Sequence, residues 1–105
     1  MKSILYHQDG SFTLFDERTL DAAKAERIEF LREDVTQHIN QTCPTSTQQN
    51  AALGIYPPER CEAIKSYISA CRNEYLRCKA LILAAQANDE ADAIQYVAPP
   101  LPEGI

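Results

Sequence analysis

The chain lacks tryptophan, has only three glycines among 105 residues, and contains no apolar run near the roughly 18 residues that a transmembrane helix needs. Its N-terminal stretch lacks the apolar core of a signal peptide, so we expect synthesis in the cytoplasm and no membrane association.

The sequence contains no glycine-rich phosphate loop, no Gly-x-Ser-x-Gly elbow and no His-Glu-x-x-His pair. A general acid or base needs a cleft that shifts its pKa, and so short a chain leaves little room for one. We therefore predict that the protein is not an enzyme and binds no cofactor.

Basic residues are also few, with ten Lys and Arg against fifteen Asp and Glu, which gives a net charge of −5. No two of the basic residues are adjacent in the sequence. Because binding to a phosphate backbone needs clustered Lys and Arg, this pattern argues against nucleic acid as the main partner. The hydrophobic content of 45% and charged content of 24% are typical of a folded globular protein, and the length predicts one domain with a thin core.

The first fifteen residues have the pattern of a β-hairpin. Two short segments rich in apolar residues flank Asp9-Gly10, a strong signal for a two-residue turn, which would place Tyr6 opposite Thr13. Both faces of such a hairpin are largely apolar, and an isolated hairpin is marginally stable in water. Its own helices can cover only one face, so we predict that the hairpin contacts another protein. The residues predicted to make these contacts are Ile4, Tyr6, Phe12 and Phe15.

Residues 16–42 change to a helical period, with Asp16 or Thr19 as a candidate N-cap and acidic residues in the first turn. This segment predicts an amphipathic helix of about seven turns. Pro44 disfavours helix at the residue before it, so we expect the helix to end near Thr42. Its apolar face includes Leu20, Leu31, Val35 and Ile39.

Two further helices are predicted after Pro44. The segment Thr45-Ser46-Thr47-Gln48 has the spacing of a capping box, which predicts a short helix that Gly54 stops. Pro58 suits the first turn of a second long helix, which we expect to run to about Asn88. Apolar residues in this helix recur at alternating steps of three and four, the spacing of a heptad seam that needs a partner. The seam residues are Cys61, Ile64, Ile68, Cys71, Tyr75, Cys78 and Ile82.

The predicted fold class is mainly α with a small β part, in a single domain over residues 1–105. An N-terminal hairpin (1–15) precedes a helical hairpin (16–88), in which residues 20–39 pair antiparallel with residues 64–82. A C-terminal turn and a proline-rich tail (89–105) follow, and the prolines favour an extended polyproline II conformation. We predict that the tail contacts other subunits or lies along its own helices. Its predicted contact residues are Tyr96, Val97, Pro99, Pro100, Leu101 and Pro102.

The four cysteines permit at most one disulfide within the chain. Cys61, Cys71 and Cys78 lie on one predicted helix, where even the closest two are about 10 Å apart, beyond the roughly 7 Å that a disulfide spans between Cα atoms. Only Cys43 can form a bridge, to Cys61 or Cys78. Three interpretations stay open for the seam cysteines: buried apolar side chains, bridges between chains, or a metal site. A metal site is disfavoured because no close Cys-x2-4-Cys pair is present.

One part of the chain resembles a known group of proteins. The residues that carry the resemblance are Cys43-Pro44, the run Gln49 to Tyr56, Glu59-Arg60 and the run Ala63 to Ile68. They are similar to a helical segment of small bacteriophage proteins found among tail, tail-fibre and baseplate components, although Ser46 and Thr47 replace an aromatic and a basic residue common there. The resemblance covers about residues 43–68 and transfers no functional residue. It implies a virion protein, made in the host cytoplasm, whose partners are other tail or fibre proteins and copies of itself.

The leading hypothesis from the sequence is a structural adaptor that links a phage tail fibre to the baseplate or tail tube. An alternative is a small acidic regulator or inhibitor of a host protein, in which Asp89, Glu90 and Asp92 mimic an anionic surface. A second alternative is an assembly chaperone for the tail fibre, which would be absent from mature particles.

Overall fold

The computed structural model describes the backbone of residues 2–6, 8, 10, 12–103 and 105, and the side chains of residues 8, 10, 16–103 and 105. The fold is mainly α-helical, which confirms the predicted class at that level. The described part contains no helix that is both long and apolar enough to cross a membrane. The elements, in chain order, are β1 (Lys2–Tyr6), β2 (Phe12–Asp16), α1 (Leu20–Thr42), α2 (Thr45–Ala52), α3 (Pro58–Ala84) and α4 (Asn88–Asp92).

Strands β1 and β2 pair antiparallel, and Tyr6 lies opposite Phe12. A two-residue turn at Asp9-Gly10 would instead place Tyr6 opposite Thr13, so the observed register is shifted by one residue. The predicted turn falls partly outside the described residues. The side chains predicted to contact a partner also lie outside them, and their role stays a prediction: Ile4, Tyr6, Phe12 and Phe15.

Helix α1 begins at one of the two predicted caps. The Thr19 side-chain oxygen accepts the Ala22 backbone N–H at 3.1 Å and satisfies one of the free donors of the first turn. The helix ends at Thr42, immediately before Cys43 and Pro44, as the proline predicts. The cap and the proline therefore set both ends of α1.

Helix α2 starts differently from the prediction. Its N-cap is Pro44 and Thr45 is the first helical residue, so no capping box forms. The proline ring fixes φ and prepares the chain to enter a helix at once, while the Gln48 side-chain amide donates to the Cys43 carbonyl at 2.7 Å. Gly54 ends the helix as predicted, with a φ of 72° that favours glycine.

Helix α3 has Pro58 in its first turn, as predicted, but it ends at Ala84 rather than near Asn88. Ala85 is extended and almost completely buried, with 1% of its surface exposed. This buried residue packs with Ala91, so the chain turns there and lays α4 against the end of the helix pair. Tertiary packing therefore sets the end of α3, and the helical pattern of the sequence carries no information about that packing.

Helices α1 and α3 pack against each other, and their apolar faces form two buried clusters along the interface. One cluster lies near α2 and the other near α4. No charged or polar residue of the described part is buried. The members of the first cluster are Val35, Ile39, Cys43, Ala51, Ile64, Tyr67 and Cys71, and those of the second are Leu31, Cys78, Ile82, Ala85 and Ala91.

Candidate interaction surfaces of the helix pair

The α1–α3 pair has two faces. The segment that follows α4 runs back over one of them, which we call the covered face, and is held there by hydrogen bonds. Arg27 of α1 donates through Nη2 and Nε to the Ile94 carbonyl at 2.7 and 3.1 Å. Glu74 of α3 accepts the Val97 backbone N–H through Oε2 at 2.8 Å. Side chains from both helices therefore fix the beginning of the C-terminal tail.

Tyr96 lies between these two anchors and turns inward. Its ring meets that of His38 edge-on at 6.2 Å between centroids, and it packs against both core clusters. Burial raises the pKa of the Tyr96 phenol, and its hydroxyl is shielded from solvent with no hydrogen-bond partner among the described residues. The structure thus places Tyr96, a predicted contact residue for other proteins, against its own helices.

The remaining contact residues of the tail occupy mixed positions. Val97 and Leu101 are 67% and 63% exposed, whereas Pro99 and Pro102 are half-buried. Val97, Pro99 and the exposed Pro100 line a shallow groove together with residues of α3. No regular secondary structure follows α4 in the described residues. The tail therefore lies along the helix pair as an irregular segment.

An ion pair strengthens the attachment of the tail to α3. The Glu74 carboxylate accepts hydrogen bonds from both Nε and Nη2 of Arg77. This guanidinium, and then the Val97 N–H, lower the pKa of Glu74 to about 2. Glu74 therefore remains ionised through the normal pH range, which maintains the bond to Val97.

A second ionic cluster joins the end of β2 to α4. Arg18 contacts Asp16 at 2.6 Å, Asp92 at 2.7 Å and Glu26 at 3.2 Å. The guanidinium holds the pKa of Asp16 well below its usual range. The Asn88 side-chain amide adds a bond to the Arg18 carbonyl at 2.9 Å. These contacts give Arg18 a structural role at the junction of the N-terminal segment and the helices.

The acidic residues proposed for mimicry of an anionic surface are partly occupied by these contacts. Asp92 binds Arg18, and Glu90 accepts the Gln86 backbone N–H at 2.9 Å. Two of the three carboxylates at residues 89–92 therefore have partners within the chain. The regulator hypothesis, in which those carboxylates bind a host protein, stays a prediction from the sequence.

The other face of the helix pair carries a groove, which we call the open groove. One section has a volume of about 440 Å³ between α1 and α3, and a second section of about 340 Å³ continues between α2 and α3. The two sections share Gln48 and Arg72. The residues that line them include Arg32, Val35, Thr36 and Ile39 of α1, Ala51 and Ala52 of α2, and Lys65, Ile68, Ser69, Arg72, Tyr75 and Leu76 of α3.

The charges along the open groove are of one sign. Arg32, Lys65 and Arg72 line it, and no Asp or Glu is among the described lining residues. Arg32 contacts Glu29 at 3.0 Å, outside the groove. Within the described part of the chain, Arg72 and Lys65 form no ion pair. A protein of net charge −5 therefore presents a cationic, largely apolar groove.

The seam residues divide between the core and its edge, and two of those at the edge, Ile68 and Tyr75, line the open groove. Ile64, Cys71, Cys78 and Ile82 are almost completely buried, whereas the remaining three are partly buried. Tyr67, which is only 2% exposed, is a core residue that the heptad seam does not include. Its position three residues after Ile64 and four before Cys71 places it on the same helical face, a spacing that could have identified it. The three partly buried seam residues are Cys61, Ile68 and Tyr75.

All four cysteines are free thiols, so the Cys43 bridge considered above is not formed. Cys43, Cys71 and Cys78 are buried among apolar side chains, and burial raises the pKa of the Cys43 and Cys78 thiols. Cys61 is partly exposed and donates weakly to the Ala51 and Tyr56 carbonyls at 3.5 Å. The described residues contain no group of three or more His, Cys, Asp or Glu side chains arranged to hold a metal ion.

This geometry is suited to binding a macromolecule along a groove, because the apolar floor and cationic rim extend over two connected sections rather than converge on one reacting point. Comparisons with family models, with curated proteins and with solved structures gave no match to this chain.

Proposed function

We propose that this protein is a non-enzymatic structural adaptor of a phage tail, which links a fibre to the baseplate or tail tube through protein contacts. The observation that carries the adaptor role is the open groove. It leaves apolar surface of the helix pair exposed beside three cationic side chains, on a chain that covers the opposite face with its own tail. Exposed apolar surface rimmed by polar residues is characteristic of interaction sites.

The tail adds a second exposed surface. Val97 and Leu101 project from a segment whose neighbouring residues are fixed to α1 and α3. A preordered segment loses less conformational entropy on binding than a free one, so it is a favourable site for subunit contacts. The assignment to a phage tail is supported by the resemblance of residues 43–68 to small tail and baseplate proteins.

The test is quantitative mass spectrometry of purified particles from the phage or prophage that carries the gene. We expect the protein in mature virions at a fixed ratio to a tail component, in several copies per particle. Presence only in assembling particles would contradict the adaptor role and indicate an assembly factor. Absence from both, together with a stable monomer that binds no tail protein in size-exclusion chromatography with light scattering, would exclude the proposal altogether.

A further inference from the structure

The open groove is long and continuous along α3. From Lys65 to Leu76 the helix rises about 16 Å, at 1.5 Å per residue. Lining residues occur along the whole of that length, and Gln48 and Arg72 join the two sections. A helical segment of three turns has the same length. The groove therefore has the dimensions of a helix-binding site formed between two packed helices.

The chemistry of the groove selects the kind of helix. Val35, Ile39 and Ile68 form an apolar floor, while Arg72 and Lys65 stand on the α3 side without a carboxylate partner among the described residues. An occupant with an apolar stripe would bury the floor, and carboxylates beside that stripe would meet the cations. Complementary charge of this kind increases both specificity and the rate of association.

We infer that the open groove binds an acidic amphipathic helix of a partner protein, which completes a three-helix arrangement with α1 and α3. This inference rests on the proposed adaptor function and names the class of partner segment. None of the described tail residues lines the open groove, so the tail and the occupant would form third layers on different faces of the helix pair.

A second copy of the chain is a less suitable occupant. Its long helices α1 and α3 already use their apolar faces against each other. The other helices have eight and five residues, less than the three turns that the groove accommodates. No element of the described residues thus supplies a free acidic amphipathic helix of the required length.

The test is titration of the full chain with a synthetic amphipathic peptide of about 14 residues, with Leu on one face and Glu on its flanks. A matched peptide carries Lys in place of every Glu. We expect the acidic peptide to bind at least about tenfold more tightly than the basic one, with an affinity that falls as salt rises. Amide NMR shifts of the labelled protein should change at Thr36, Ser69 and Leu76 and remain unchanged at Val97.

Two pairs of variants locate the binding. Leu76→Glu and Arg72→Gln should each weaken binding of the acidic peptide at least about fivefold. Leu81→Glu places the same change at another exposed leucine of α3, and Arg77→Gln removes an arginine on the covered face. Both should leave the affinity unchanged. Circular dichroism should show that all four variants remain folded, which separates lost binding from lost structure.

The inference is overturned if the acidic peptide does not bind, if both peptides bind equally, or if the controls weaken binding as much as Leu76→Glu and Arg72→Gln. A dimer in light scattering that Leu76→Glu converts to a monomer also overturns it, because the groove would then join two copies.

The composition of purified particles tests the proposed function separately from this inference. A virion protein whose groove does not bind the peptide refutes this inference alone, whereas peptide binding by a protein absent from particles refutes the phage-tail role alone.

Discussion

The two faces of the α1–α3 pair differ in whether the C-terminal tail packs against their apolar edges. On the covered face, Tyr96 fills the space between the helices, and hydrogen bonds to Arg27 and Glu74 hold the segment around it. On the open face, Ile68, Tyr75 and Leu76 border a groove that no other described part of the chain covers. Two amphipathic helices can bury only the strip where they meet, so each edge of that strip needs a third layer. The tail supplies this layer on the covered face.

The largest effect should come from removing the cover. Tyr96→Ala leaves a cavity beside His38 and both clusters, and we expect a loss of roughly 3 kcal/mol in the free energy of unfolding. Val97→Ala, at the exposed neighbouring position, should cost less than about 0.5 kcal/mol. Urea unfolding followed by circular dichroism measures both. Equal effects of the two substitutions would show that the tail does not contribute to the core.

A smaller effect is expected from the bond that holds the tail to α3. Glu74→Gln removes the charged acceptor of the Val97 N–H, and we expect a loss of about 1.5 kcal/mol at neutral pH. Hydrogen exchange at the Val97 amide should accelerate at the same time. Glu62→Gln, at an exposed position of the same helix, is the matched control and should change neither quantity.

The same carboxylate predicts a pH dependence. The pKa of Glu74 is lowered from 4.5 in the unfolded chain to about 2 in the fold. Its contribution is therefore fully present above the unfolded value and is lost as the pH falls from about 4.5 towards 2. The difference in unfolding free energy between wild type and Glu74→Gln should shrink over this interval. A constant difference across it would show that the carboxylate charge does not hold the tail.

The covered face also shows which parts of the fold the sequence could predict. The helical period identified α1 and α3, and Pro44, Gly54 and Pro58 marked boundaries, because these signals depend on local backbone geometry. The inward position of Tyr96 could not be predicted, since residues 93–105 have no period from which to assign a buried side. It depends on where α4 ends and on Arg27, 67 residues earlier in the chain than Ile94.

The open groove was equally inaccessible to sequence analysis, for a different reason. Arg32 and Arg72 lie 40 residues apart on separate helices, and only the rotation of α3 against α1 brings both to one groove. The seam spacing predicted that Ile68 and Tyr75 would be buried within the pair, yet they lie at its edge. A heptad pattern identifies the interface of two helices and leaves open how much of it a third element covers.

The smallest expected effect compares one tyrosine from each face. Tyr75 borders the open groove and Tyr96 fills the covered face, yet both have a buried hydroxyl with no hydrogen-bond partner among the described residues. Replacing an unpartnered buried hydroxyl with hydrogen removes a desolvation cost and loses no bond, so Tyr75→Phe and Tyr96→Phe should each be neutral or stabilise the fold by up to about 1 kcal/mol. Tyr96→Phe thereby separates the ring's packing from its hydroxyl, because the alanine variant at this site removes both.

At Tyr75 the outcome also depends on Arg32, which lines the same groove section. If Tyr75→Phe destabilises the fold by more than about 1 kcal/mol, its hydroxyl has a partner in solution, and the Tyr75→Phe/Arg32→Gln double-mutant cycle would test whether that partner is Arg32. If both single variants are neutral and the coupling energy is zero, the two faces would differ only in whether the tail covers them, and not in the bonding of their tyrosine hydroxyls. In that case the groove edge is held by apolar packing, and its cations remain available to an occupant.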